Sequence, residues 1–159
     1  RLPEGKRGVC TALGRPVPER AIVGEKDLPP LAVIKTMARD LGRPTEIPAA
    51  PTGREADGLA LSSRNAYLTP QERARAGQLN LVLKQFGAAL TGGQTVERAR
   101  QAALTACQDG FDAVDYIEAR CAETLAPLPA GKLAIPARVL AAVRVGKTRL
   151  IDNCAASPS

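Results

Sequence analysis

The 159 residues are 45% hydrophobic and 24% charged, the balance of one globular domain or of one and a half small ones, and not that of a disordered chain. Aromatic residues make up 3% and Trp is absent, so the core must be aliphatic and rich in alanine. The net charge of +6 favours an anionic partner, yet the 22 Lys and Arg residues are dispersed; with no basic run or aromatic platform, a nucleic-acid-binding role is the weakest reading and a solvated basic surface the plainer one.

"RAIVG" (20–24) is a short apolar run stopped by Gly, the pattern of a buried strand in a parallel sheet. The next segment, "LPPLAVIKTMARDLG", repeats Leu31, Ile34 and Met37 or Ala38 at helical spacing. Pro29 and Pro30 are tolerated there only in a first turn, and Gly42 ends the pattern. "PTEIPAAPT" (44–52) reads as a second strand or an extended segment, demoted to an edge by Pro48 and Pro51. Strand, helix, strand is a βαβ unit.

"TPQE" (69–72) is a helix start: Thr69 caps, Pro70 suits the first helical position and Glu72 completes a capping box. Leu79, Val82, Phe86 and Ala89 mark its apolar face. After the loop "TGGQT", a second helix is predicted from Val96 to about Cys107, with Val96, Ala99, Ala103 and Leu104 inward and "QDGF" as its breaker. "AVDYIEAR" (113–120) reads as a strand. "ARVLAAVRVGKTRLIDN" (137–153) reads as two strands folded at Gly146-Lys147, and the tail "CAASPS" as frayed. The second half is thus two helices and a small antiparallel sheet.

The cysteines at 10, 107, 121 and 154 form no CxxC or zinc spacing, and the sequence contains no His. They read as reduced thiols of a cytoplasmic protein, with a disulfide as the alternative for which the spacing does not argue, and no protein-held metal is expected. No apolar stretch approaches the ~20 residues of a membrane span, and no secretory signal is present. The opening "RLPEGKRG", without Met, reads as the interior of a longer protein.

Two polar clusters carry chemistry. "GEKD" (24–27) follows the first strand, where parallel α/β folds bind ligands beyond the carboxyl ends of strands. Lys26 can meet a phosphate there, and the following helix offers its N-terminus to an anion; on these residues alone a polar turn is the plainer reading. "SSRN" (62–65) places two hydroxyls and a guanidinium together, donors that suit phosphate oxygens. A capped turn before the next helix explains it equally well.

"GEKD", "LAVIK" and "PTGREADGLALSSRNAYLTPQERARA", with the later "VDYIEAR" and "RVLAAVRVGKTRLIDN", resemble the pantothenate synthetase (pantoate–β-alanine ligase) family over most of the chain. The resemblance implies an α/β fold: the end of a Rossmann-like nucleotide-binding domain (1–53), an SSRN phosphate-binding loop region (54–68), and a small α+β carboxyl-terminal domain with antiparallel strands (69–159). It implies an ATP- and Mg²⁺-dependent ligase. Pantoate attacks the α-phosphate to give pantoyl adenylate and pyrophosphate, and β-alanine then displaces AMP to give pantothenate. The ATP-binding positions it implies are Gly24, Glu25, Lys26, Asp27, Gly53, Leu61, Ser62, Ser63 and Arg64. Lys26, Ser62, Ser63 and Arg64 are the catalytic candidates, on a segment that closes over substrate. A cytoplasmic homodimer acting on small molecules is implied, with neither nucleic acid nor membrane as partner.

The chain also departs from the family pattern. Pro30 stands where a pantoate-binding Gln is usual, Lys6 where a His is, and Gly53 where a larger apolar residue is. The His-containing motif of the family's amino-terminal half is missing, and the segment after residue 10 is short. A catalytically incomplete fragment, acting only as an interaction or structural module, is therefore the rival expectation.

Overall fold

A computed structural model describes residues 19–20, 22–27, 34–36, 38–40, 42 and 44–158. The chain divides into two compact units, Arg1–Thr52 and Gly53–Ser159. The expectations for Lys6, for Pro29 and Pro30, for the short segment after residue 10 and for the start of the first helix lie outside the described residues.

In the first unit, β1 (Val23–Gly24) pairs in parallel with β2 (Ala49–Ala50), Val23 opposite Ala49. Pro48 and Pro51 flank β2, and a residue without an N–H cannot extend a ladder, which keeps the pairing short. Pro48 contributes what it has: its carbonyl accepts from the Val23 N–H at 3.3 Å. A parallel bridge joins Arg20 to Glu46, whose side chains form an exposed ion pair at 2.8 Å. Between the strands the backbone is helical at 34–36 and 38–40, and Ile34 and Ala38, one turn apart, are both buried. The Gly42 N–H closes the following turn on the Arg39 carbonyl at a φ of 59°. The strand–helix–strand order is the predicted one, but the first strand is not buried as expected: it is limited to Val23–Gly24, and Ile22 beside it is exposed.

The second unit places three helices, α1 (Pro70–Ala76), α2 (Gln78–Thr91) and α3 (Val96–Gly110), with a sheet of β3 (Ala113–Cys121), β4 (Ala137–Val145) and β5 (Thr148–Ala156). The sheet order is β3-β4-β5 and both pairings are antiparallel. Central β4 turns Ala137, Val139, Ala141, Val143 and Val145 to the helices. Leu79, Leu83, Phe86 and Leu90 of α2 and Ala99, Ala103 and Cys107 of α3 meet them in one aliphatic core. Gly87 lets α2 approach β5 closely, since a Cβ there would lie 3.3 Å from the Ala155 carbonyl oxygen.

Three details of the second unit differ from the sequence expectation. The helix that starts at Thr69 is interrupted at Gly77, where a Cβ would lie 2.7 Å from Asp57 Oδ2, so the second half has three helical segments and not two. The "QDG" triplet stays helical, and α3 ends only where the extended Phe111 donates its N–H to the Cys107 carbonyl. The tail is not frayed as far as Ala156: Cys154 and Ala156 are registered against Val139 and Ala137, and the Ser157 carbonyl accepts from Thr91 Oγ1 at 2.9 Å. Cys107, Cys121 and Cys154 are free thiols, and burial pushes Cys107 up to about 11.

Candidate functional site

The predicted residues fall into two sets, one in each unit. In the first, Gly24 ends β1 and Glu25–Asp27 form a 3₁₀ turn immediately beyond it, with Lys26 half-buried. The GEKD cluster therefore stands at the carboxyl end of a parallel strand, the position where such sheets bind ligands.

In the second unit, Gly53–Leu61 fold back on themselves. The Leu61 N–H donates to the Gly53 carbonyl at 2.8 Å, the Glu55 N–H donates to the Leu59 carbonyl at 2.9 Å, and Arg54 bridges Ala60. Gly58, at a φ of 90°, takes the tight corner that L side chains rarely adopt. Asp57 Oδ1 accepts from the Leu59 N–H across that corner at 3.1 Å. Gly53 packs directly under Leu61, where a Cβ would lie 2.9 Å from Leu61 Cδ1.

Two arginines fix this hairpin. Arg54 donates bidentately to Asp152 of β5 (Nη1 to Oδ2 at 2.7 Å, Nη2 to Oδ1 at 3.0 Å) and also to the Gly58 and Asn153 carbonyls. Asp152 lies on the helix-facing side of β5 opposite Ala141, almost wholly buried, and also accepts from Asn80 Nδ2 and from the Asn153 N–H. From α1, Arg73 donates to Asp57 through Nη1 and through Nη2 at 3.0 Å, and to Glu55 Oε2 through Nη2 at 2.9 Å. The Arg73 guanidinium holds both carboxyls below the usual carboxylate range.

A depressed folded pKa contributes stability that is fully present above the unfolded value, about 4, and is lost as pH falls through the folded value. Arg73→Met is therefore expected to lower the urea midpoint at pH 7. The gap from wild type should close as the pH is taken below about 4. An unchanging gap across that range would mean that Arg73 acts through packing and not through these carboxylates.

The SSRN residues follow the hairpin. Ser62 caps a 3₁₀ turn over Ser63–Tyr67, its Oγ accepting from the Arg64 N–H at 3.3 Å. Its hydroxyl proton is not used by that bond and can still be donated. Ser63 and Arg64 are exposed, and the Arg64 side chain has no hydrogen-bond or ion-pair partner among the described residues. Asn65 points the other way: its Nδ2 donates to Glu55 Oε1 at 3.0 Å and to the Ala60 carbonyl at 3.2 Å. The capped-turn reading and the donor-loop reading thus coexist, because Ser62 and Asn65 build the turn while Ser63 and Arg64 are presented outward.

Arg64 and Tyr67 line an open cleft of about 770 Å³ together with Glu72 at the start of α1 and the β4–β5 turn, Gly146 to Arg149. Glu72 is committed to the capping box, accepting from the Thr69 N–H at 2.8 Å. Arg149 is held by Asp115 at 2.6 Å and lies 5.9 Å from the Tyr116 ring centroid. Lys147 at the tip of the turn is exposed. Three cations line the cleft against one occupied carboxylate, which suits an anionic ligand.

The residues that hold and face this cleft, Arg54, Arg73, Asn65, Tyr67, Lys147 and Arg149, are not singled out as site residues by the sequence. The close run "READ" does carry a signal for the first of them, since the cation Arg54 is followed within three positions by two carboxylates, Glu55 and Asp57.

The Pantoate-beta-alanine ligase family profile matches residues 7–155. The chain belongs to the pantoate–β-alanine ligase family. It is 56% identical over 156 residues to the pantothenate synthetase of Maricaulis maris, covering 98% of this chain and 54% of that protein. With the Caulobacter vibrioides pantothenate synthetase it shares 50% identity over 137 residues, 85% of this chain and 48% of the relative. The crystal structure of the Thermus thermophilus pantothenate synthetase superposes with a TM-score of 0.86 at 38% identity, over 94% of this chain and 54% of that one. The Francisella tularensis pantoate–β-alanine ligase, crystallised with a β,γ-ATP compound and β-alanine, superposes at 0.64 with 27% identity, over 94% of this chain and 48% of that one. The chain thus spans about half the length of the relatives it matches. The α/β class, with a parallel sheet and a three-stranded antiparallel sheet, is the expected one.

Proposed function

We propose that this chain serves the ATP-dependent ligation of pantoate to β-alanine, through a pantoyl-adenylate intermediate, giving pantothenate, AMP and pyrophosphate. The observation that carries the reading is the exposed Arg64 on a capped turn, facing a cleft that Lys147 and Arg149 also line. Family membership supports pantoate and β-alanine as substrates, and the Francisella relative's bound nucleotide compound supports ATP.

In this reading ATP is bound by Gly24, Glu25, Lys26, Asp27, Gly53, Leu61, Ser62, Ser63 and Arg64. Adenylation gathers negative charge on the α-phosphate and the departing pyrophosphate. Arg64 donates N–H groups to that charge, the Ser62 and Ser63 hydroxyls donate to neighbouring oxygens, and Lys26 contributes a point charge. Donors fixed in advance stabilise the transition state more than the ground state, and losing one commonly costs about 3 kcal/mol. Among the described residues no cluster of His, Cys, Asp and Glu could hold a metal ion. Mg²⁺ would arrive on the ATP phosphates, a mode usual for this ion. Among the described residues no helix is long and apolar enough to cross a membrane. A cytoplasmic homodimer acting on small molecules completes the proposal.

Calorimetric titration of ATP with Mg²⁺ into this chain, with Arg64→Ala beside it, tests the reading. We expect binding that the substitution weakens about tenfold, on the order of 1.4 kcal/mol. No binding by the folded wild-type chain would favour the rival reading, an interaction or structural module without turnover.

A further inference from the structure

The side chain next to Arg64 makes contacts that neither turn formation nor phosphate binding requires. A capped 3₁₀ turn needs the Ser62 hydroxyl and the backbone bonds of Asn65 and Leu68, all of which are present. The Asn65 amide adds a tether: one donor to Glu55 Oε1, one to the Ala60 carbonyl, both on the hairpin. Both partners are acceptors, so the orientation of the amide is settled by its surroundings and the NH₂ must face the hairpin. Oδ1 is left buried without a partner among the described residues, so every hydrogen bond of this side chain is made by its NH₂. The far oxygen of Glu55 accepts from Arg73, which also holds Asp57. A continuous line of charge-assisted bonds therefore runs from helix α1 through Glu55 to the residue beside Arg64.

We propose that Asn65 is a positioning residue. By fastening the Ser63–Tyr67 turn to Glu55 and Ala60, it sets the direction in which Arg64 presents its donors to the cleft, beside the exposed Ser63. The division along Ser62–Asn65 follows: the two middle side chains are left free to meet a ligand, while the flanking Ser62 and Asn65 fix the turn. The consequence for ligand affinity rests on the phosphate-binding reading of Arg64; the fastening of the turn does not.

A donor–acceptor exchange isolates the bond. Asn65→Asp puts a carboxylate against Glu55 and the Ala60 carbonyl, acceptor against acceptor. Adding Glu55→Gln restores one bond with its polarity reversed. The introduced amide can donate through Nε2 to the new carboxylate at position 65, while its Oε1 still accepts from Arg73. Amide hydrogen exchange of residues 62–68, corrected for intrinsic rates, reads the turn directly. We expect Asn65→Asp to accelerate exchange at the Leu68 amide by about tenfold or more, tenfold being the lower end of what one hydrogen bond to a charged group contributes. The double variant should recover most of that protection, and the Kd for ATP should weaken and recover in step. Equal exchange in all three proteins overturns the proposal, as does a double variant no better protected than the single one. Should the wild-type chain fail to bind ATP, the phosphate reading fails, while the exchange result still decides the role of Asn65.

Discussion

Arg54→Met is expected to destabilise the second unit by about 3–5 kcal/mol, the cost of leaving a buried carboxylate without its cation. Asp152 is 4% exposed and sits on the core side of the sheet, where an unpaired charge has little water to solvate it. What remains after the substitution is Asn80 Nδ2 at 3.3 Å and the Asn153 N–H at 2.8 Å, both neutral donors. Domains are typically stable by about 5–15 kcal/mol, so the loss takes a large share of the total. The urea midpoint measures it. A second substitution distinguishes a lost ion pair from lost packing. Arg54→Met/Asp152→Leu removes both charges together, and replacing a buried pair by apolar residues is often close to neutral. The double variant should thus be more stable than Arg54→Met alone. A double variant that is worse than the single one would mean that Asp152 is needed for its bonds to Asn80 and Asn153, and that Arg54 is secondary.

The same pair shows where sequence reasoning reaches and where it stops. The capping box at Thr69–Glu72, the helix face at Leu79, Val82 and Phe86 and the turn at Gly146-Lys147 were all legible, because each depends on residues within one turn or one hairpin of each other. Arg54 and Asp152 are 98 positions apart, and nothing local in "LIDN" says that its aspartate faces the core. Alternation does put position 152 on the side of β5 shared by Thr148, Leu150 and Ala156, but the carboxylate argues against it, since an aspartate is seldom buried without a partner. Ser62, Ser63, Leu61 and Arg64 were legible as a cluster through resemblance. Composition alone left a capped turn and a phosphate loop equally open, and the structure shows that the turn is capped by one member of the cluster while another is presented outward. Asn65 could be read only as a turn former, because its partners Glu55 and Ala60 become neighbours through the fold-back at Gly58. The strand expected at the first unit's end was shortened by the two prolines that had already demoted it.

Gly146→Ala is the second large effect, expected at about 2–3 kcal/mol, or roughly 10 °C in the thermal midpoint of the second unit. Two separate costs make it up. Gly146 has a φ of 56°, and an L residue held there loses about 1–2 kcal/mol. A Cβ at this position would also overlap Glu72 Oε1, whose other oxygen is fixed by the Thr69 N–H. Relieving the overlap therefore pulls Glu72 out of the capping box, worth about 1 kcal/mol. Gly146 cannot shift easily instead, since its own N–H donates to Asp112 Oδ2 at 2.6 Å and Asp112 is in turn held by Arg75. The two costs separate in a double-mutant cycle. Glu72→Ala removes both the cap and the overlapping atom, so Gly146→Ala added to it should incur the backbone strain alone. The pair is then less destabilising than the sum of the singles by about 1 kcal/mol. Strict additivity would mean that the turn and the helix start do not touch in solution. Glu72 and the β4–β5 turn, which line one cleft with Arg64, would then be set independently of each other.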